Sequence, residues 1–235
     1  MKLLDRTGGN TKVNKTNKQA GDDYHFAGLS MLPTNKLCPG AKAAGCMDSC
    51  LKGAGLAAVY GSVNAARLKK TELFLNDKPK FMAQLRRELT NYTKWCRKHN
   101  KQGVVRLNVL SDILWEAEGI PQEFPELEFY DYTKRADRFE VELPSNYKIM
   151  FSYSGKESYQ KQVKRFLESG SDAPVAVVFR GKMPDKFLGR PVIDGDASDW
   201  INVQNKGVVV GLKAKGPAKS NDNGFVVDMN VIARG

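Results

Sequence analysis

Three of the four cysteines, Cys38, Cys46 and Cys50, lie close together in the chain at the spacing Cys-x7-Cys-x3-Cys. Thiolates are soft ligands that bind iron–sulfur clusters and Zn²⁺ strongly, so a group of cysteines in one loop is typical of a metal site. One proline and two glycines in the same segment permit the tight backbone bends that would direct several thiolates toward one point. The sequence therefore predicts a metal centre held by these three residues.

The spacing favours an iron–sulfur cluster, with [4Fe-4S] preferred, because common structural zinc sites use paired Cys-x2-Cys knuckles that this segment lacks. Zinc is the alternative metal. Cys96 lies far along the chain, on a predicted helical stripe with Phe81, Leu85, Leu89 and Tyr92. It could supply a fourth ligand, although a cysteine on such a stripe more often belongs to the hydrophobic core.

The chain has a formal net charge of +11, and its positive charge is concentrated in one segment. Residues 67–101 contain eleven Lys and Arg against three acids, whereas residues 112–142 contain ten acids against three Lys and Arg. A basic helical segment suits a nucleic-acid backbone, and a solvated helix face is the alternative interpretation. Nucleic acid is therefore a possible partner of residues 67–101.

The composition also predicts a cytoplasmic protein without a membrane partner. No apolar run approaches the roughly 18 residues that span a bilayer, and residues 1–6 lack the apolar core of a secretory signal. Four cysteines, three of them crowded together, do not resemble the disulfide framework of a secreted protein. A reducing compartment is expected.

The elements that must position the cysteines alternate between strands and helices. Residues 1–23 are polar with few apolar anchors and predict a flexible N-terminal arm. Residues 24–235 contain no linker or internal repeat, which predicts a single α/β domain. The alternation favours a mainly parallel sheet, arranged as a full or partial barrel or as an open doubly wound sheet.

Several predicted strands end in polar residues, and the carboxyl ends of parallel strands form the ligand-binding edge of α/β proteins. The candidate cofactor-binding residues at this edge are Asp112, Lys134, Ser154, Asp194, Lys213 and Lys215. An ammonium at Lys134 could hold an anion, Asp194 could bind a hard cation or a ribose hydroxyl, and Lys213 with Lys215 could contact phosphate. The alternatives are an ordinary surface lysine at Lys134, a solvated turn at Asp194, and an edge strand protected by its lysines at residues 213 and 215. The cysteine loop, residues 37–51, follows the first predicted strand, residues 24–33, so we expect the loop at the same edge.

A strand, a three-cysteine loop and a helix at the start of an α/β barrel resemble the architecture of radical-SAM enzymes. That resemblance implies an incomplete (β/α) barrel and a [4Fe–4S] cluster whose open iron binds S-adenosylmethionine. The cysteine spacing differs from that family's Cys-x3-Cys-x2-Cys, and Ser111-Asp112 is the nearest match to its glycine-rich acidic motif. Cluster binding is therefore better supported than radical chemistry. No catalytic residue is identified, and whether the protein is an enzyme stays open.

A second resemblance covers most of the chain from residue 37 onward. The motifs that carry it lie at residues 38–40, 46–50, 106–112, 130–134, 192–196 and 211–216. Together they resemble a tailed-phage gene-product family to which no function is assigned. The resemblance implies a phage origin and expression in the cytoplasm of a bacterial host, and it supplies no reaction.

Two functional hypotheses follow. The first is a radical-SAM-like iron–sulfur protein acting on S-adenosylmethionine or on a nucleotide or nucleic-acid substrate. The second is a non-enzymatic phage protein, stabilised by zinc or a cluster, that binds nucleic acid.

Overall fold

The computed structural model describes residues 1–6, 18, 21–47, 50, 61–196 and 198–229. The strands within these ranges are β1 (Leu4–Asp5), β2 (Tyr24–Leu29), β3 (Gln102–Arg106), β4 (Glu128–Thr133), β5 (Tyr147–Ser152), β6 (Val175–Arg180), β7 (Lys186–Phe187), β8 (Arg190–Asp194), β9 (Val209–Lys213) and β10 (Val227–Asp228). The α-helices are α1 (Gly61–Asn76), α2 (Lys78–Lys98), α3 (Ile120–Glu123), α4 (Gln160–Glu168) and α5 (Asp199–Val203).

The strands form a mostly parallel, unclosed sheet in the order β1-β2-β3-β4-β5-β6-β9-β8-β7, with β10 paired to β6. β1 is antiparallel to β2, and β7 is antiparallel to β8. Pairing is parallel for β2 with β3, β3 with β4, β5 with β6, β6 with β9, and β8 with β9. The predicted α/β class with a mainly parallel sheet is confirmed.

Strand composition explains why the sheet is parallel. Val104 and Val105 are consecutive buried residues in β3, and Val175, Ala176 and Val177 are consecutive buried residues in β6. A strand whose successive side chains are all buried must be covered on both faces, as strands of parallel sheets are. The apolar runs of the sequence therefore become inner strands.

The chain divides into two compact units. The first unit comprises Met1–Cys38, Gly55–Asp131 and Leu143–Lys148. The second unit comprises Pro39–Ala54, Tyr132–Glu142 and Ile149–Gly235. The single domain expected over residues 24–235 stays a prediction.

In the first unit, α2 packs through the stripe that its sequence predicts. Asp77 caps the helix, because its carboxylate accepts a hydrogen bond from Lys80 N at 3.1 Å. The helix carries Arg97 and Lys98 in its last turn, where basic residues complement the helix dipole. Its buried side chains include Phe81, Leu85, Leu89, Tyr92 and Cys96. The predicted apolar stripe is confirmed.

The start of the chain is attached to the first unit. Leu3 and Leu4 are buried, and their backbone N–H groups donate to the Glu88 carboxylate at 2.8–3.0 Å. β1 adds a short antiparallel pairing with β2. At these residues the structure differs from the flexible arm predicted over residues 1–23, because two leucines and one carboxylate are enough to anchor the chain. Residues 7–17 and 19–20 of that arm lie outside the described residues.

His25 of β2 lies in an aromatic cluster of the first unit. Its ring centroid lies 4.3 Å from that of Trp95, and Tyr92 OH donates to His25 O at 2.6 Å. Since the hydroxyl proton of Tyr92 is used in that bond, His25 Nδ1 at 3.1 Å must be the donor to the Tyr92 oxygen. Burial lowers the pKa of His25 below its ordinary value of 6.5, and the nearby positive charges of Arg6 and Lys101 lower it further.

We expect acidification below pH 6.5 to destabilise the protein through His25. The unfolded state binds a proton on this imidazole more readily than the folded state does. The contribution of His25 to the free energy of unfolding is therefore fully present above pH 6.5 and falls as the pH drops toward the lowered pKa. His25→Asn keeps a donor without titrating and should reduce this loss. Urea unfolding at pH 7.5 and 5.5 measures both proteins, and equal losses in the two would contradict the expectation.

In the second unit, aromatic rings join helix and sheet. Phe151 of β5 stacks on Phe166 of α4 with ring centroids 4.4 Å apart and planes 3° apart. Val175 and Phe179 of β6 complete the same buried cluster. Ala44, from the cysteine loop, also belongs to it. The loop is therefore packed into the core of the second unit.

Candidate functional site

Side chains of the second unit hold residues 43–45 of the cysteine loop, and one of these side chains follows the carboxyl end of β5. Three successive carbonyls, those of residues 43–45, accept hydrogen bonds from Ser158 at 2.8 Å, Ser154 at 2.7 Å and Asn223 at 2.9 Å. Ser154 comes two residues after the end of β5 and is fully buried. Ala44 of the loop thus lies beside the segment that follows the carboxyl end of β5.

The glycines of the loop are required by its close packing. A Cβ at Gly40 would lie 2.9 Å from Lys134 Cβ. Gly45 has φ of +71°, and a Cβ there would lie 2.7 Å from Asn223 Oδ1. A residue with a Cβ would clash at both positions and would also be strained at the positive φ of Gly45. The two glycines therefore let the backbone turn closely against its neighbours.

The three cysteines of the loop segment are half-buried, and within the described residues they are not joined in disulfide bonds. Cys46 Sγ donates to Ala41 O at 3.6 Å, and in the first unit Cys38 Sγ donates to Leu110 O at 3.2 Å. Residues 48–49, which precede Cys50, lie outside the described residues. Among the residues that are described, no three His, Cys, Asp or Glu side chains form a group that could hold a metal ion. The predicted metal centre stays a prediction.

The first unit holds the beginning of the cysteine segment by backbone contacts. Asp112 N donates to Leu37 O at 2.7 Å, and Leu110 accepts the Cys38 thiol. Both residues follow the carboxyl end of β3. The Asp112 side chain, a predicted cofactor contact, is buried. In this unit, too, the cysteine segment lies next to residues that follow a parallel strand.

Lys134 is a predicted anion-binding residue that the structure places among carbonyls and aromatic rings. Its ammonium donates to Ser152 O at 2.9 Å and to Tyr153 O at 3.0 Å. It also lies 4.8 Å from the ring centroid of Phe225 and 5.3 Å from that of Tyr159. Carbonyl oxygens and ring faces stabilise a buried cation. Lys134 therefore ties the end of β5 to its surroundings, and its predicted role in binding a ligand stays untested.

The remaining predicted cofactor contacts lie around β8 and β9. Asp194 is exposed and accepts a hydrogen bond from Asp196 N at 2.8 Å, which closes the turn after β8. Asp196 forms an ion pair with Lys215 at 2.5 Å. Lys213, at the end of β9, is exposed. These contacts stabilise a turn, and the cation, ribose and phosphate contacts predicted for this region stay untested.

The surroundings of Cys96 favour its interpretation as a core residue. Its side chain is buried in the first unit, and a Cβ at Gly103 would lie 3.0 Å from its sulfur. Burial raises the pKa of the Cys96 thiol, which disfavours the thiolate that a metal requires.

Sequence reasoning missed a buried polar network in the first unit. Asp131, at β4, accepts hydrogen bonds from Asn108 N at 2.8 Å, Asn108 Nδ2 at 3.1 Å and Tyr147 OH at 2.6 Å. Asn108 Oδ1 in turn accepts from Ser111 OH at 2.8 Å and from Trp115 Nε1 at 3.0 Å. The network shapes the segment that follows β3. The only signal in the sequence was the run of polar residues at strand ends, which equally predicts a ligand site.

Comparison with known proteins supports one assignment. The chain matches the family model described as "Gene product 88" over residues 2–229, and it therefore belongs to that family. This match confirms the resemblance to a phage gene-product family. No curated protein and no solved structure matches the chain. Within the ranges that the structure describes, none of the helices has the length and apolar character that a membrane span requires.

Proposed function

We propose that the protein binds an iron–sulfur cluster through Cys38, Cys46 and Cys50. The observation that carries this proposal is the fixed position of the loop: side chains hold the carbonyls of residues 43–45, and one of them, Ser154, follows the carboxyl end of β5. Ligand sites of α/β proteins lie at this edge of the sheet. A cysteine loop at that edge therefore suits an iron–sulfur cluster that binds a small molecule in addition to its cysteine ligands.

The thiols fit such a centre. All three are outside disulfide bonds, and their half-buried positions allow a cluster to enter while the loop stays packed. Two of these thiols donate to backbone carbonyls, at 3.2 Å for Cys38 and 3.6 Å for Cys46, and thiols are weak donors that give up such bonds at little cost. Metal sites are commonly completed only when the metal binds, so the ligands need not converge beforehand.

Strand order supports a radical-SAM-like version of the proposal. From β2 to β6, spatial order follows chain order, as it does in a (β/α) barrel, while beyond β6 the order reverses to β9-β8-β7. A [4Fe–4S] cluster with three cysteine ligands supplies one open iron, to which we assign S-adenosylmethionine or a nucleotide. In this arrangement the chain's own residues hold the loop and shape the edge of the sheet.

The proposal predicts that iron binding depends on the three cysteines of the loop. After anaerobic reconstitution with iron and sulfide, the wild-type protein should be brown, with absorbance at about 400 nm from thiolate-to-iron charge transfer. Cys38→Ala, Cys46→Ala and Cys50→Ala should each lose most of the bound iron and the colour. Cys96→Ala is the matched control and should keep both.

Three results would decide against parts of this proposal. A colourless protein with one zinc per chain would replace the cluster with zinc. Loss of iron in Cys96→Ala as well, with an unchanged thermal unfolding curve, would make Cys96 a ligand. Retention of iron by all three variants of the loop would overturn the proposal. If iron binds, a change in the electron paramagnetic resonance spectrum of the reduced protein on adding S-adenosylmethionine tests the second ligand.

A further inference from the structure

The cations of α2 fall into two groups, and one group is paired with acids of the first unit. Lys78 contacts Glu118 at 2.6 Å, Arg86 contacts Glu123 at 2.6 Å, and Arg97 contacts Glu126 at 2.7 Å. These three acids belong to the acidic part of the sequence that follows β3. The acidic and basic segments therefore partly neutralise each other along one side of the helix.

The second group of cations forms an exposed stripe along the same helix. We name Lys80, Arg87, Lys94 and Lys98 the basic stripe; all four are exposed. Their spacings of seven, seven and four residues place them within a narrow arc of the helix surface, opposite the buried apolar stripe. At a rise of 1.5 Å per residue the basic stripe is about 27 Å long. No acidic side chain of α2 lies within this arc.

We infer that the basic stripe binds the phosphate backbone of a nucleic acid, either single- or double-stranded. Its cations follow one another at about 6–10 Å along a straight helix, a distance that flexible lysine stems can adjust to successive phosphates. Within the described part of the chain, none of the four side chains has an ion pair. Their charge is therefore available to an external polyanion.

The position of the helix favours nucleic acid over an anionic membrane. A helix that binds a membrane surface inserts an exposed apolar face beside its cations. The apolar face of α2 is buried in the core of the first unit, the residues beside the basic stripe include Ala83, Thr90 and Asn91, and Trp95, three residues before Lys98, is half-buried against the rings of His25 and His99. Such a surface can bind phosphates by charge but has nothing to insert.

The inference is tested by removing the charge of the basic stripe from the full-length chain. Binding of mixed-sequence duplex DNA, single-stranded DNA and RNA is measured by fluorescence anisotropy between 50 and 200 mM salt. With four phosphate contacts, the slope of log K against log salt should be about −3.6 for a duplex and about −2.8 for a single strand. For a duplex this corresponds to about a 150-fold loss of affinity over that range.

The variant carries Lys80→Gln, Arg87→Gln, Lys94→Gln and Lys98→Gln together. At 50 mM salt we expect it to bind at least tenfold more weakly than the wild type, with a slope closer to zero. The matched control removes the same charge from four exposed lysines of the second unit, Lys161, Lys182, Lys186 and Lys219. The control should lose no more than about threefold, because it changes only the net charge.

Equal weakening in the two variants would overturn the inference, because net charge alone would then explain binding. Absence of binding by the wild type at 50 mM salt, or preference for anionic lipid vesicles over all three nucleic acids, would overturn it too. Circular dichroism and thermal unfolding show whether both variants fold. The readout is independent of iron content, so this inference and the proposed cluster can fail separately.

Discussion

Asn108→Ala is expected to lower the free energy of unfolding by about 3–5 kcal/mol, because it removes the centre of the buried network. Asn108 Oδ1 accepts three hydrogen bonds, including one from Ile113 N at 3.0 Å. Its Nδ2 donates to Ile113 O at 2.8 Å and to Asp131 at 3.1 Å. Alanine would leave these buried partners without that side chain, and each unsatisfied group costs about 1–3 kcal/mol.

Asn91→Ala is the matched control for this prediction. Asn91 lies on the exposed surface of α2 in the same unit, and alanine is a better helix former than asparagine. We expect the control to unfold at the same or a slightly higher urea concentration. A loss of less than about 1 kcal/mol in Asn108→Ala would show that water or a shifted side chain replaces the missing bonds.

Gly195→Ala is expected to destabilise the protein by about 2–3 kcal/mol through overpacking. A Cβ at this position would lie 2.5 Å from Val210 Cγ1 and 2.8 Å from Gly211 O. The backbone has little freedom to move away, because Gly195 N donates to Gly211 O at 2.7 Å and its carbonyl accepts from Asn202 Nδ2 at 2.8 Å. Thermal or urea unfolding measures the loss.

Gly61→Ala provides the control for that substitution. Gly61 begins α1, and a Cβ there would meet no atom within 4 Å. Alanine should therefore be neutral or raise stability by up to about 1 kcal/mol, since it restricts the unfolded chain. If both glycine variants were equally stable, the close approach at Gly195 would relax without cost and the prediction would be wrong.

The Gly195 turn illustrates how one sequence motif is compatible with two structural roles. Two aspartates around a glycine predict a cation or ribose site, because glycine lets two carboxylates approach one ligand. In the structure the glycine instead lets the backbone approach β9 closely, one aspartate closes its own turn, and Asp196 pairs with Lys215. The motif is compatible with both outcomes, and only the neighbouring strand distinguishes them.

The charge pattern of α2 shows a similar limit. The sequence reveals an excess of positive charge between residues 67 and 101 but does not show which of these cations form ion pairs. The fold pairs Lys78, Arg86 and Arg97 with acids that lie 29 to 40 residues further along the chain. The cations that remain exposed are therefore a property of the folded first unit.

Local patterns in the sequence were sufficient for some of the elements of this protein. The buried stripe of α2, the apolar inner strands and the closely packed glycines of the cysteine loop follow from periodicity and residue type, which act over a few neighbouring residues. The tertiary structure decided which polar groups meet. Ser154 binds the carbonyl of Ala44, 110 residues away in sequence, and Lys134 uses its ammonium on carbonyls that follow β5. Partners of this kind depend on how strands are placed side by side, and no local pattern encodes that placement.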